Sequence, residues 1–198
     1  MQEQGRGDGP LTLRESPVLV LDAQATAAHP SRGALVEVGW ARWSAAEPGD
    51  LAADRVTAHV VASPAGADLP RAVQRLTGLD AAAWRRGATP LAVWSGLREA
   101  LAALPAAVAP AVVHFARFEE PHLRALHARH GAGPFPLRFV CTHAIARRLL
   151  PELPRRTLRA LAGYFGAAVA PLRRSADHVA ATAFVWRHLV ARLDEQEG

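Results

Sequence analysis

The sequence contains no lysine. All 23 of its basic residues are arginine. It has one cysteine, Cys141, so an internal disulfide and a thiolate zinc site within one chain are both excluded. No apolar run is long enough to span a bilayer. The N-terminus lacks a basic stretch followed by an apolar one, so no signal peptide is predicted. These absences predict a cytoplasmic protein with no membrane association. Apolar residues make up 50 % and charged residues 21 % of the 198 positions, which excludes a disordered chain and suits one domain with a full core. Arginine offers a planar fork of donors that matches phosphate. The net charge of +5 favours a polyanionic partner. An arginine-only composition also follows from GC-rich coding, which requires no such partner.

Residues 1–16 read as a disordered lead, and residues 17–194 as one domain. Val18-Leu19-Val20-Leu21 is a short apolar run that suits a strand buried on both faces. A turn at His29–Gly33 leads to a second strand over Ala34–Trp43, and Arg55–Ala62 alternates as a third. The three form an antiparallel meander. Helices follow at Pro70–Leu76, ended by Thr77-Gly78, and at Asp80–Trp84, capped by Asp80. A third covers Pro90–Leu104, with Leu91, Val93, Trp94, Leu97 and Leu101 at amphipathic spacing. A strand at Val108–Phe115 and a helix at Glu119–Arg129 come next. Phe139–Cys141 is a short strand, and helices cover Thr142–Leu150, Thr157–Phe165 and Ser175–Leu193. This order predicts an α/β fold with a mixed five-stranded sheet, three antiparallel strands and then two parallel ones, flanked by helices.

Three segments carry chemistry. Asp22 and Gln24 end the first strand, and residues i and i+2 share a strand face. An acid among apolar neighbours needs a partner, a metal or solvent; a solvated strand end satisfies the same pattern. In the second segment, Val112 to Glu119, an apolar strand runs into an acid at a helix start, where helix-dipole chemistry is an adequate reading. In the third, Arg173 to Thr182, Ser175 suits an N-cap and Asp177 a first-turn acid.

In this order and spacing the segments resemble the DnaQ-like (DEDD) 3′–5′ exonucleases. Asp22-Ala23-Gln24-Ala25-Thr26-Ala27 stands for that family's Asp-x-Glu-Thr-Thr-Gly, and Glu37-Val38-Gly39 for the Glu-Ile-Gly that follows. His114-Phe115-Ala116-Arg117-Phe118-Glu119 stands for His-Asn-Ala-x-Phe-Asp. Arg173-Arg174-Ser175, His178-Val179 and Thr182 stand for the third motif. Leu76-Thr77-Gly78-Leu79, Val140-Cys141-Thr142 and Thr157-Leu158-Arg159 match connectors. The resemblance spans about Val18 to Leu189. It implies a ribonuclease H-like fold and metal-dependent hydrolysis of a phosphodiester at a DNA or RNA 3′ end, with Mg²⁺ or Mn²⁺ held by acids.

The departures bear on mechanism. Asp22 matches the first acid, but Gln24 stands at the second and Glu119 at the third. Arg173 stands where the family has its base histidine, and arginine cannot accept a proton at neutral pH. His178 occupies the last acid position, while a one-residue slip would put Asp177 there instead. Adjacent helical residues point about 100° apart, so only one of the two can face the site. The resemblance thus makes Asp22, Gln24, Glu119, Arg173, Asp177 and His178 the catalytic candidates. Asp22, Glu119, Asp177 and His178 are its candidate metal ligands. Nucleic-acid contacts fall to Thr26, His114, Arg117, Arg173 and Arg174. A weakened, single-ion site follows from the lost charge. The alternative is a catalytically impaired nucleic-acid-binding or scaffold module of the same fold that partners another nuclease; some proteins resembling this pattern are joined to a GIY-YIG nuclease domain. Further phosphate candidates are Arg147-Arg148 and Arg155-Arg156. His122, His127 and His130 read as a solvated helix face. The tryptophans read as core, with base stacking on Trp40 and Trp43 the alternative. DNA versus RNA and oligomeric state are not specified.

Overall fold

The computed structural model describes residues 12–168 and 171–197. One five-stranded sheet forms the centre, in the order β3-β2-β1-β4-β5. The strands are β1 (Val18–Ala25), β2 (Leu35–Trp43), β3 (Thr57–Val60), β4 (Ala109–Val113) and β5 (Leu137–Cys141). The β1–β2 and β2–β3 pairs are antiparallel, and β1–β4 and β4–β5 are parallel. This is the mixed α/β sheet expected from the element order. Of the predicted lead, residues 1–11 lie outside the described residues; residues 12–16 form a hydrogen-bonded turn, and Arg14 O accepts from Ala46 N and Ser44 Oγ.

Side-chain alternation along β1 divides the core. Leu19, Leu21 and Ala23 face α3 (Pro90–Ala102) and α4 (Ala116–His130), together with Val38, Trp40, Val93, Leu97 and Leu123. Val18 and Val20 face α7 (Ser175–Glu197), with Trp43, Val112, Val179 and Trp186. Trp40 and Trp43 are three residues apart on one strand, so they enter opposite core layers; neither offers a stacking face at the sheet edge. All five tryptophans are buried. Leu91 departs from the amphipathic reading of α3 and is 54 % exposed. It is the second residue of that helix, ahead of the turns that touch the sheet. Among the described residues no helix is long and apolar enough to cross a membrane.

The short helices α1 (Arg71–Thr77), α2 (Ala81–Arg85), α5 (Thr142–Leu149) and α6 (Leu158–Tyr164) follow their signals closely. Gly78 ends α1 with φ 71°, and the Asp80 side chain accepts from Ala83 N at the start of α2. Helix α4 starts three residues earlier than predicted. An acid suits a first turn, which sets the sequence reading of the start at Glu119; the backbone instead turns at Phe115, so Glu119 is the fourth residue of the helix and Pro121 lies inside it.

Helix α7 is anchored where the chemistry gathers. Glu37 is buried and accepts from the Arg174 guanidinium and from Ser175 N at 2.8 Å. Gly39 lies opposite Asp22 in the β1–β2 register. A methyl group on Gly39 would come within 2.9 Å of Ser175 Cβ and 3.2 Å of its carbonyl carbon. Gly39→Ala is therefore expected to push the start of α7 off the sheet and to cost about 1–3 kcal/mol, seen as a lowered Tm. An unchanged Tm would mean that α7 is not tightly seated at this point.

Candidate functional site

The ends of β1 and β4 and the starts of α4 and α7 surround a cavity of about 570 Å³. Asp22, Gln24, His114, Glu119, Arg173 and His178 line it. Gln24, His114, Arg173 and His178 lie at or beside element ends, whereas Asp22 lies three residues inside β1 rather than ending it, and it and Glu119 are buried.

Asp22 is buried, and its Oδ1 lies 3.6 Å from His178 Nδ1. That is too long for a hydrogen bond and is an ion contact when the imidazole is protonated. Burial raises the Asp22 carboxyl to about 6, against the opposing pull of the His178 charge. Glu119, one turn into α4, accepts from Phe115 N at 3.3 Å through Oε1. Burial, and then the Asp22 charge, push it up to about 8. Gln24 Nε2 donates to Arg173 O at 3.0 Å. Asp22 Oδ2, Gln24 Oε1 and Glu119 Oε2 are all buried without a hydrogen-bond partner. Buried acceptors in that condition are costly. A proton or a cation relieves the cost.

His114 is held by Thr142. The Thr142 hydroxyl donates to Val113 O at 3.2 Å, so toward His114 Nδ1, 2.9 Å away, it accepts. The His114 Nε2 is buried and unpartnered by strict geometry, although a backbone hydrogen bond with Arg156 favours a proton on the ring. Burial, with the His143 charge, lowers this imidazole to about 4. It is a neutral imidazole rather than a cation at neutral pH.

The structure separates Asp177 from the cleft. Its Oδ2 accepts from Arg173 N at 3.2 Å and Arg174 N at 3.0 Å, which caps the start of α7. One helical step then turns His178 to Asp22. Thr26 is likewise occupied elsewhere: its hydroxyl accepts from Ala34 N and closes the turn after β1. Arg174 is committed to Glu37, and the Arg117 guanidinium lies 4.5 Å over the Phe115 ring, outside the cavity lining. Arg156 binds the carbonyls of Leu150 and Pro151. Arg173 is exposed, passes over Gly78, and forms no ion pair with Asp22. His122 and His127 correct the reading of a solvated helix face. His122 is buried and contacts Ala27 O; His127 packs on Trp94 and Phe135. Sequence reasoning gave no cleft role to the apolar wall of Val73, Leu76, Phe118, Leu158 and Leu172. Only the exposure of Leu76, on a face of α1 that an isolated helix pattern does not distinguish, marks it out.

Among the described residues no three His, Cys, Asp or Glu side chains gather in a group able to hold a metal ion. The expected set of Asp22, Glu119, Asp177 and His178 does not assemble. What remains is two carboxylates and one amide oxygen. These are hard donors, too few in charge to balance two divalent cations.

No family model and no curated relative matches the sequence. Solved structures do match its fold. E. coli exonuclease I in complex with a dA16 oligonucleotide superposes with a TM-score of 0.72 at 14 % identity, covering 91 % of this chain and 42 % of that one. The zinc-ion-bound form of the E. coli exonuclease I–ssDNA complex gives 0.68 at 15 % identity, with 92 % and 41 % covered. Cell-death related nuclease 4 (CRN-4) gives 0.69 at 12 % identity, with 90 % and 64 % covered. The chain thus spans less than half the length of the exonuclease I chains. It has the ribonuclease H-like fold of the DnaQ-like 3′–5′ exonucleases.

Proposed function

We propose that the cleft receives the 3′ end of a DNA or RNA strand and hydrolyses its terminal phosphodiester with a single divalent cation, Mg²⁺ or Mn²⁺. The observation that carries this reading is the trio of buried, unpartnered oxygens, Asp22 Oδ2, Gln24 Oε1 and Glu119 Oε2, on one cavity. Those three side chains would hold the cation, with the His178 imidazole beside Asp22 shifting preference from Mg²⁺ toward Mn²⁺ or Zn²⁺. When bound, the cation supplies charge neutralisation at the phosphodiester and acidification of water. The protein's own groups do the rest. Arg173 stands at the mouth as a permanent cation for phosphate. His114 lines the cleft as a neutral imidazole able to hydrogen-bond the substrate. Phe115, Phe118 and Leu76 give the terminal nucleotide an apolar wall. The single-strand complexes of exonuclease I support this substrate class.

A second reading, binding without hydrolysis, is favoured by the Gln24–Arg173 hydrogen bond. It turns the amide NH₂ to a carbonyl that a carboxylate would repel, so this site is adapted to the loss of an acid. The two readings separate on 3′-labelled single-stranded DNA in Mg²⁺ or Mn²⁺. Wild type is expected to release label, and Asp22→Ala to slow the release by at least about 100-fold. Equal release by both proteins would exclude Asp22 from the chemistry. No release, with salt-sensitive binding retained, would favour the binding module.

A further inference from the structure

A second cavity, of about 590 Å³, lies beyond the end of β1. Gln24 and Ala25 line the first cleft, and Thr26, the next residue, lines this one. Its basic groups are Arg32, Arg129, His130 and the buried His122, with the Ser31 hydroxyl beside Arg32. Both arginines are exposed, and neither pairs with an acid among the described residues. Asp68 is the one acid in the lining.

The walls are rigid. Pro30, Pro64, Pro70 and Pro90 contribute to them. The turn that carries Arg32 is closed by two Thr26–Ala34 hydrogen bonds, at 2.9 Å each, and is tied to α4 through His122 and Ala27 O. A Cβ on Gly33 would come within 2.6 Å of Ala27 N and 2.7 Å of Thr26 Oγ1, so the turn has no slack. Arg129 and His130 end α4, the helix whose first turn places Glu119 in the cleft. Both cationic edges are thus fixed relative to the first site, and little ordering is needed to bind a ligand across them.

We propose that this second cavity is a subsite for the phosphodiester backbone of the same single strand, upstream of the 3′ end. The proposal rests on the reading that a 3′ end occupies the first cleft. Arg129 follows Glu119 by ten residues, about 15 Å along the helix. A stacked strand advances about 3.4 Å per nucleotide. A strand that follows α4 therefore brings Arg129 to a phosphate roughly four to five nucleotides from the end. Arginine matches phosphate oxygens in bidentate fashion, and backbone contacts of this kind position a strand without reading its sequence.

The test is equilibrium binding in EDTA of 3′-hydroxyl DNA strands of 3 and 12 nucleotides across a salt series. It compares wild type, Arg32→Ala/Arg129→Ala, and the charge-matched control Arg138→Ala/Arg192→Ala. Wild type should bind the 12-mer at least about tenfold more tightly than the 3-mer. The Arg32/Arg129 variant should lose about tenfold on the 12-mer and nothing on the 3-mer. Its salt slope should shrink by about 1.4, at about 0.7 per phosphate contact for single strands. The control should match wild type. Equal losses on both lengths, equal losses in the control, or an unchanged 12-mer affinity would each overturn the subsite. In the last case, retained preference for a free 3′ end over a circular strand leaves the function of the first cleft standing. If wild type binds no strand at all, both readings fall.

Discussion

Gln24→Glu is expected to release a 3′ label at least about tenfold faster than wild type in Mn²⁺, and to melt at a lower temperature than wild type in EDTA. The two effects have one origin. The amide already places an unpartnered oxygen on the cavity beside Asp22 and Glu119. A carboxylate there adds a negative charge beside Asp22, in a cleft where Glu119 keeps its proton up to about pH 8. At an effective dielectric of about 20, a unit charge 4 Å from another contributes roughly 4 kcal/mol. Without a cation that interaction is repulsive, and the hydrogen bond from Gln24 Nε2 to Arg173 O is replaced by two opposed acceptors. With a divalent cation it becomes attractive. The expected melting curves therefore shift in opposite directions: down from wild type in EDTA, and up by a larger Mn²⁺-induced step. Tenfold in rate needs only about 1.4 kcal/mol of the available attraction in the transition state. If the variant shows wild-type release and no additional Mn²⁺ shift, the cleft is not a cation site and the binding module is the better account.

Much of the fold can be read from local pattern. The alternation that buries Leu19, Leu21 and Ala23 on one core layer, and Val18 and Val20 on the other, is written in consecutive residues. Caps at Asp80, Thr89 and Thr157 act through their own side chains, within three residues. Errors arose where two local rules compete. The acid at Glu119 marks a first turn, yet that turn begins three residues earlier, after Phe115, and carries Glu119 to a buried position. Leu91 fits the helical spacing of α3 but lies too near its start to reach the sheet.

The site was legible in its polar members and illegible in their division of labour. Asp22, Gln24, His114, Glu119, Arg173 and His178 meet because strand ends and helix starts converge. Asp177 carried two readings, cap and ligand, and the sequence does not choose between them. The choice is made by α7 beginning at Ser175, which gives the Asp177 carboxylate two N–H donors one turn back. Arg174 looked free until Glu37, 137 positions away in sequence, was brought beneath it. The apolar wall has no signature at all, because Leu76, Phe118 and Leu172 share a surface only after three elements close on one another.

Glu119→Gln is expected to raise the Tm of the cation-free protein by roughly 6–20 °C at pH 8 and to change it little at pH 5. In the unfolded chain Glu119 takes its ordinary value of 4.5; burial and the Asp22 charge put the folded value at about 8. Between these values the folded protein retains a proton that the unfolded chain has released, so stability falls as pH rises. The contribution by pH 8 is on the order of 3–5 kcal/mol, or about 2–4 °C of Tm per kcal/mol for a chain of this size. A glutamine carries no such proton and removes the slope. Asp22, raised to about 6 from 3.8, leaves a smaller fall at lower pH in both proteins. Mn²⁺ should flatten the wild-type curve, since cation binding favours the ionised carboxylates and tightens as pH rises through 6 to 8. The variant has lost one of them and should respond weakly. Parallel Tm-against-pH curves for the two proteins in EDTA would show that Glu119 ionises freely. The cleft would then hold more charge than its burial implies, and the restriction to a single cation would lose its physical basis.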